Sequence, residues 1–230
     1  MNPLHRDSLH STLDSLAESL FFQRTLSAIQ RRNVAAWIAR RQGQPGAYAD
    51  MFAPTEKDLR GIRLFTGETV RSRVGIAHQL GEESCRLLVR LHVPTPAVQT
   101  ALQRAIDGMT ARLDEAERRG QSTALYCCGT CSAAYWRNLA LNLFPRSEER
   151  LCQGLVELKQ LRRSDGQWHR FPFYFTSLAL TEIGTELALA ELQHAAARWQ
   201  KILPRLSAVE NPMSRRRAAV GQRLLALCAS

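Results

Sequence analysis

The 230-residue chain has few of the residues that build β-strands, and it lacks a long hydrophobic run. Leucine outnumbers valine and isoleucine together by about two to one, and no stretch alternates regularly between polar and apolar residues. Because β-branched residues favour strands, their scarcity predicts an all-α fold. No apolar run approaches the ~20 residues that cross a bilayer, and the N-terminus does not look like a signal peptide. We therefore expect a cytoplasmic protein without a membrane span.

Lysine is also scarce, although the chain is basic. Three of the 31 basic residues are lysines (Lys57, Lys159 and Lys201), which leaves 28 arginines and a net charge of +10. Such an excess is typical of proteins that bind polyanions, either nucleic acid or phosphorylated ligands. Scattered arginines on solvated helix faces would give the same composition. The one cluster lies in a predicted basic terminal helix and provides the candidate nucleic-acid-binding residues Arg215, Arg216, Arg217 and Arg223.

The six cysteines are too unevenly spaced for a disulfide framework, which predicts free thiols. Cys85, Cys152 and Cys228 lie in apolar helical stretches, and we expect them to be small core residues. The other three occur together in the sequence CCGTC, where a helix is predicted to begin: Cys127, Cys128 and Cys131.

The CCGTC stretch has three interpretations. The positive end of a helix lowers the pKa of a thiol, which predicts a redox or nucleophilic thiol, and we assign that role to Cys131. The three cysteines would alternatively bind zinc, which requires about four ligands and therefore another residue from elsewhere. The third interpretation is a tight turn of small residues that packs against a neighbouring helix.

A second candidate site lies in the predicted helix that contains His78 and Glu82. These residues are four positions apart and share one side of the helix, as an acid–base pair or two metal ligands would. The alternative is a surface pair, with a further salt bridge from Glu82 to Arg86. Arg73, near the start of this helix, is a candidate ligand-binding residue.

Other helices follow from the spacing of leucines and from capping residues. The first is predicted to begin near Ser8 and to continue its apolar stripe through Ile29, and the second is predicted to follow Asn33 as its N-cap. We expect residues 1–60 to form an N-terminal helical pair with an irregular strap. Residues 61–230 are expected to form the main helical domain.

Residues 154–183, GLVELKQLRRSDGQWHRFPFYFTSLALTEI, join two predicted helices through the turn DGQW. This stretch resembles the helical repeat of terpenoid cyclases and protein prenyltransferases, in which a similar turn joins an outer helix to an inner one. The resemblance implies stacked helical hairpins in a partial α/α-toroid-like array. Neither the DxDD acid motif of the cyclases nor the zinc-binding set of the prenyltransferases occurs here, so the resemblance implies fold rather than activity.

In such an array the CCGTC and DGQWH turns both precede inner helices and therefore share one rim. Cys131 and His169 would be catalytic there, and Trp168, Arg170 and Tyr126 would bind ligand. The leading prediction is a small, anionic or apolar ligand in a cavity at this rim, with catalysis left open. The alternatives are a nucleic-acid-associated protein and a thiol-redox or zinc protein centred on CCGTC.

Overall fold

A computed structural model describes residues 3–229. It is 63% helical, which confirms the all-α prediction. Over this range, none of the helices is both long and apolar enough to cross a bilayer. The helices are α1 (Leu9–Phe21), α2 (Ala28–Ala39), α3 (Arg73–Leu91), α4 (Pro96–Arg118), α5 (Gly129–Leu139), α6 (Ser147–Gln160), α7 (Phe173–Leu180), α8 (Glu186–Ser207) and α9 (Pro212–Ala229), with strands β1 (Ile62–Arg63) and β2 (Thr69–Val70).

Serine side chains start the first two helices. Ser8 is the N-cap of α1, as predicted. Ser27 caps α2 in a reciprocal capping box with Gln30, so the predicted N-cap Asn33 is wrong and lies inside the helix. The S-x-x-Q pattern satisfies two free N–H groups together, whereas a lone asparagine satisfies one. The non-helical link between α1 and α2 also ends the apolar stripe, and Ile29, which was predicted to continue it, is 71% exposed.

The chain divides into two compact units, and unit 1 comprises residues 3–64 and 69–121. In unit 1, α3 packs against α1, α2 and α4. β1 and β2 form an antiparallel pair in which Ile62 lies opposite Val70.

The irregular segment that links α2 to β1 completes the core of unit 1. Met51 and Phe52 are fully buried. The segment comes close to two helices at glycines: an added Cβ would lie 2.8 Å from Met51 at Gly81 of α3, and 2.3 Å from the Ala49 carbonyl at Gly108 of α4. A larger residue at either position would push the segment away from the helices.

Asp58 ties this segment to the start of α1. It lies in a 3₁₀ turn and is 2% exposed. Its carboxylate accepts hydrogen bonds from the Ser8 hydroxyl at 2.6 Å and from the backbone N–H groups of Leu9 and His10 at 3.0 and 3.2 Å. The N–H and hydroxyl of Thr55 donate to it as well. Five donors thus satisfy one buried carboxylate and the free N–H groups of a helix end.

Unit 2 comprises residues 65–68 and 122–229. In this unit α8 and α9 pack against each other, α7 contacts α5, α8 and α9, and α6 contacts α5 and α8. A toroidal array of stacked hairpins stays a prediction. The division of the chain near residue 121 differs from the predicted boundary at residue 60.

Trp199 of α8 is the centre of the unit 2 core. It is fully buried, and its ring lies 5.1 Å from that of Phe173. Its indole N–H donates to the Ser177 hydroxyl at 3.0 Å, so its one polar group is satisfied. An added Cβ at Gly221 of α9 would lie 2.4 Å from the indole, so a glycine is required for α9 to pack this closely.

Candidate active site

The CCGTC turn forms the beginning of α5. Cys128 is the N-cap residue, with extended backbone angles, and Gly129 is the first helical residue. Cys128 consequently lies at the positive end of the helix dipole, where free backbone N–H groups stabilise negative charge.

Ser132 fixes the two residues that precede the helix. Its hydroxyl donates to the Cys128 carbonyl at 2.9 Å and accepts the Tyr126 N–H at 2.9 Å. It is 1% exposed, so water does not compete for these bonds. Sequence reasoning missed this residue, although a serine four positions after Cys128 is suitably spaced to bond back to the preceding turn.

The three thiols of the turn differ in exposure. Cys127 and Cys128 are exposed, and Cys131 is 4% exposed. The sulfur atoms of Cys127 and Cys131 lie within 4.8 Å of each other. The accessible thiol of Cys127, one residue before the helix N-cap, is therefore next to the buried thiol of Cys131.

The two thiols of the C-x-x-C pair have opposite pKa shifts. A hydrogen bond from the Cys131 thiol lowers the pKa of Cys128 to about 5, and the backbone N–H groups of Cys131 and Thr130 and the Cys127 thiol add to this effect. The same interaction with Cys128, together with burial, raises the pKa of Cys131 well above its usual value. The lowered pKa therefore belongs to Cys128, and the catalytic role predicted for Cys131 stays a prediction.

The DGQWH turn is held by a buried polar network. Trp168 is 2% exposed, and its indole N–H donates to Glu191 of α8 at 2.8 Å. Arg162 donates to both oxygens of Glu191, at 2.9 and 3.0 Å. Trp168 is therefore a packing residue in the core of unit 2 and does not lie at an open rim.

The CCGTC turn and the residues that follow Trp168 are adjacent. An added Cβ at Gly129 would lie 2.2 Å from the Arg170 carbonyl and 2.8 Å from the Phe171 Cα. His169 and Arg170 are exposed. The structure therefore brings the two predicted turns together, but they meet through direct backbone packing at Gly129. A ligand cavity between them stays a prediction.

Tyr126 is half-buried beside this turn. Its ring lies 5.8 Å from that of Tyr135, a fully buried residue of α5. The backbone N–H of Tyr126 is already bonded to Ser132. Its predicted role in ligand binding stays a prediction.

The second candidate site lies in α3 of unit 1. His78 Nε2 is 3.3 Å from Glu82 Oε1, and both side chains are buried. The Tyr48 ring packs 4.7 Å from the His78 ring. Because the His78 and Glu82 side chains are both buried, the alternative of a surface pair is wrong. Arg86 donates to Glu83 at 2.6 and 2.9 Å, and a salt bridge from Glu82 to Arg86 stays a prediction. The role of His78 and Glu82 in acid–base chemistry or metal binding stays a prediction.

Arg73, the third residue predicted in this helix, is the first residue of α3 and is exposed. It belongs to unit 1, as His78 and Glu82 do, whereas the CCGTC cysteines belong to unit 2. Unit 1 also has a cavity of about 260 Å³ beside the junction of α3 and α4, lined in part by Leu88, His92 and Val98. The lining of this cavity includes none of the predicted site residues.

The terminal arginine cluster does not present one continuous basic face. Arg216 is 6% exposed and its guanidinium lies 4.7 Å from the Phe65 ring. Arg217 donates to the Thr66 carbonyl at 2.7 Å and lies 4.2 Å from the Tyr174 ring. Two of the four predicted nucleic-acid-binding residues thus attach residues 65–68 to α9 within unit 2. The other two, Arg215 and Arg223, are exposed.

The remaining cysteines only partly match the core prediction. Cys85 is fully buried, and burial raises its pKa. Cys228 is partly exposed. Cys152 is exposed, so its assignment to the core is wrong. Its helix directs Leu151, Leu155 and Leu158 inward, and Cys152 lies about 100° away from that buried face.

Comparison with known proteins finds no matching family model, curated protein or solved structure.

Proposed function

We propose that the chain is a thiol–disulfide exchange protein, with Cys128 as the nucleophile and Cys131 as the resolving thiol. The observation that carries this proposal is the asymmetry of the C-x-x-C pair: an exposed thiol at the N-cap of α5 and a buried thiol one turn later that donates a hydrogen bond to it. Zinc binding by the three cysteines stays a prediction, because their turn provides three of the about four ligands that zinc requires.

The exchange proceeds in two displacements. The Cys128 thiolate attacks one sulfur of a substrate disulfide, forming a mixed disulfide and releasing the other substrate sulfur as a thiolate. The Cys131 thiol then loses its proton to solvent and attacks the Cys128 sulfur, which releases the second substrate thiolate. The substrate gains two electrons and the pair becomes a Cys128–Cys131 disulfide, which a dithiol reductant returns to the reduced form.

Burial of Cys131 suits the second role. Its raised pKa keeps it protonated while Cys128 is free, so the two thiols do not compete for the substrate. Once Cys128 is in the mixed disulfide, its negative charge is gone and Cys131 no longer donates to a thiolate. Loss of that interaction lowers the cost of deprotonating Cys131 at the moment it must react.

The lowered pKa of Cys128 also favours the reduced form. At pH 7 the lowered pKa stabilises the thiolate-bearing reduced form, and water around the exposed Cys128 screens part of this effect. The reduction potential is therefore expected to be more oxidising than that of an unperturbed dithiol. The raised pKa of Cys131 contributes little at pH 7, since an ordinary thiol is already protonated there.

The test is to trap the mixed disulfide. The Cys131→Ser variant, reacted with a small aromatic disulfide, is expected to retain one half of the reagent on Cys128, while the wild-type protein releases both halves. Cys128→Ser should lose the fast reaction, and Cys152→Ser, which changes an exposed cysteine outside the site, should keep it. Equal rates in the wild type and in Cys128→Ser would refute the assignment.

A further inference from the structure

Cys127, the third thiol of the CCGTC turn, has no part in the exchange described above. It is exposed, and its sulfur lies within 4.8 Å of that of Cys131. Its side chain also interacts with that of Cys128. The buried thiol of Cys131 therefore has two accessible thiol neighbours.

The backbone on both sides of Cys127 is held in place. Ser132 accepts the N–H of Tyr126 and donates to the carbonyl of Cys128. This clamp keeps Cys127 beside the first turn of α5, so its distance from Cys131 is set by two hydrogen bonds of the buried Ser132 side chain. A disulfide requires such proximity, because the two Cα atoms must lie about 4.4–6.8 Å apart.

We propose that Cys131 forms a disulfide with either Cys127 or Cys128, so that the oxidised site holds two interchangeable disulfides and always keeps one free thiol. This inference rests on the proposed function, since it concerns the oxidised state of the same pair.

The interchange is an internal displacement without net oxidation. The Cys127 thiol loses its proton to solvent, and its thiolate attacks the Cys131 sulfur of the Cys128–Cys131 disulfide. The Cys127–Cys131 bond forms, the Cys128–Cys131 bond breaks, and its electron pair leaves on Cys128 as a thiolate. Cys128 is a good leaving group because the helix N-terminus stabilises its charge.

The consequence is that oxidation does not silence the nucleophile. When the disulfide lies between Cys127 and Cys131, Cys128 is again a free thiol at the helix N-terminus and can attack a second disulfide. The second substrate would then be held as a mixed disulfide on Cys128, with its other sulfur released as a thiolate. An external thiol is needed to resolve this mixed disulfide, because Cys131 is already bonded to Cys127. A C-x-x-C pair without the third thiol stops after one substrate.

The populations of the two disulfides can be measured. The protein is oxidised with glutathione disulfide and acid-quenched. Free thiols are labelled, the disulfide is reduced, and a second label is added before tandem mass spectrometry assigns each label to Cys127 or Cys128. We expect the minor disulfide in at least about one molecule in ten, because the two loops that Cys131 closes differ by one residue and so have similar closure entropy.

Two variants make the test decisive. In Cys128→Ser, Cys127 and Cys131 are expected to form a disulfide. In Cys127→Ser, oxidation should leave no free thiol in the site, so the fast alkylation of Cys128 that the oxidised wild type keeps should be lost. Cys152→Ser should match the wild type. If the oxidised wild type has its free thiol on Cys127 alone and Cys128→Ser forms no disulfide, the inference is overturned while the proposed function stands. If Cys131 forms no disulfide in any variant, both fail.

Discussion

Replacing Cys131 by alanine tests the physical basis of the thiolate at Cys128. The Cys131 thiol is the largest cause of the lowered pKa of Cys128, and its removal leaves the weaker contributions of the backbone N–H groups and of Cys127. We therefore expect the pKa of Cys128 to rise from about 5 in Cys131→Ala. The helix and its dipole are unchanged by this truncation.

The magnitude follows from the strength of one hydrogen bond to a charged acceptor. Such bonds contribute about 1.5–3 kcal/mol, and the low end applies because Cys128 is exposed and water competes for its charge. Since one pKa unit corresponds to about 1.36 kcal/mol, the pKa of Cys128 should rise by about one unit. Cys131→Ser keeps an O–H donor at this position and should raise the pKa by less.

The assay is alkylation at low reagent concentration between about pH 4 and 9, a range that includes the expected pKa of Cys128 in both the wild type and the variant. The label on Cys128 is quantified by mass spectrometry. Below its pKa the thiol is protonated and slow, so the wild-type rate should fall as the pH drops through about 5. An unchanged midpoint in Cys131→Ala would contradict the hydrogen bond. A wild-type midpoint near the usual ~8.5 would contradict the stabilised thiolate altogether.

Three further predictions concern stability and are measured by urea unfolding. Asp58→Asn replaces a buried carboxylate that accepts five hydrogen bonds by an amide whose NH₂ group faces N–H donors. It should lower the free energy of unfolding by about 2–4 kcal/mol. The exposed control Asp107→Asn should change it by less than about 0.5 kcal/mol. Glu191→Ala removes the acceptor of the Arg162 guanidinium and of the Trp168 indole, and should lower the free energy of unfolding by about 3–5 kcal/mol. The exposed control Glu210→Ala should change it little. Equal losses of stability in the two variants would contradict the network. Gly129→Ala forces a Cβ against the Arg170 carbonyl and should cost about 1–3 kcal/mol, while Gly184→Ala, with no atom within 4 Å of its Cβ, should be neutral or stabilising by about 0.4–1 kcal/mol.

Local signals in the sequence were sufficient for much of the fold. Ser8 caps α1, as predicted, because a capping side chain acts on its own neighbours along the chain. Pro96 begins α4 for the same local reason. The wrong N-cap at Asn33 came from a choice between two good capping residues, and the paired Ser27 and Gln30 satisfy more N–H groups. The exposure of Cys152 could have been predicted from its offset by one residue from the leucine face of α6.

The site depends on contacts that no local pattern reveals. Glu191 lies 23 residues from Trp168, and nothing near the DGQW turn indicates that its indole would bond to α8. The burial of His78 and Glu82 arises because α1, α2 and α4 surround α3 in unit 1. The choice between Cys128 and Cys131 as nucleophile depended on the position of the helix start, and small residues in GTCS gave no clear signal for it.

The thiolate of Cys128 depends on the first turn of α5, and that turn is shaped by residues far along the chain. Arg170 and Phe171 pack on Gly129, and they follow Trp168, which Glu191 holds to α8. The N–H groups that stabilise negative charge at Cys128 are therefore oriented by the same packing that stabilises unit 2. A preorganised helix N-terminus requires no rearrangement when charge forms at the sulfur, so its N–H groups add to the hydrogen bond from the Cys131 thiol, which is the largest cause of the lowered pKa of Cys128. Chemistry at this turn and the stability of unit 2 thus have a common structural cause.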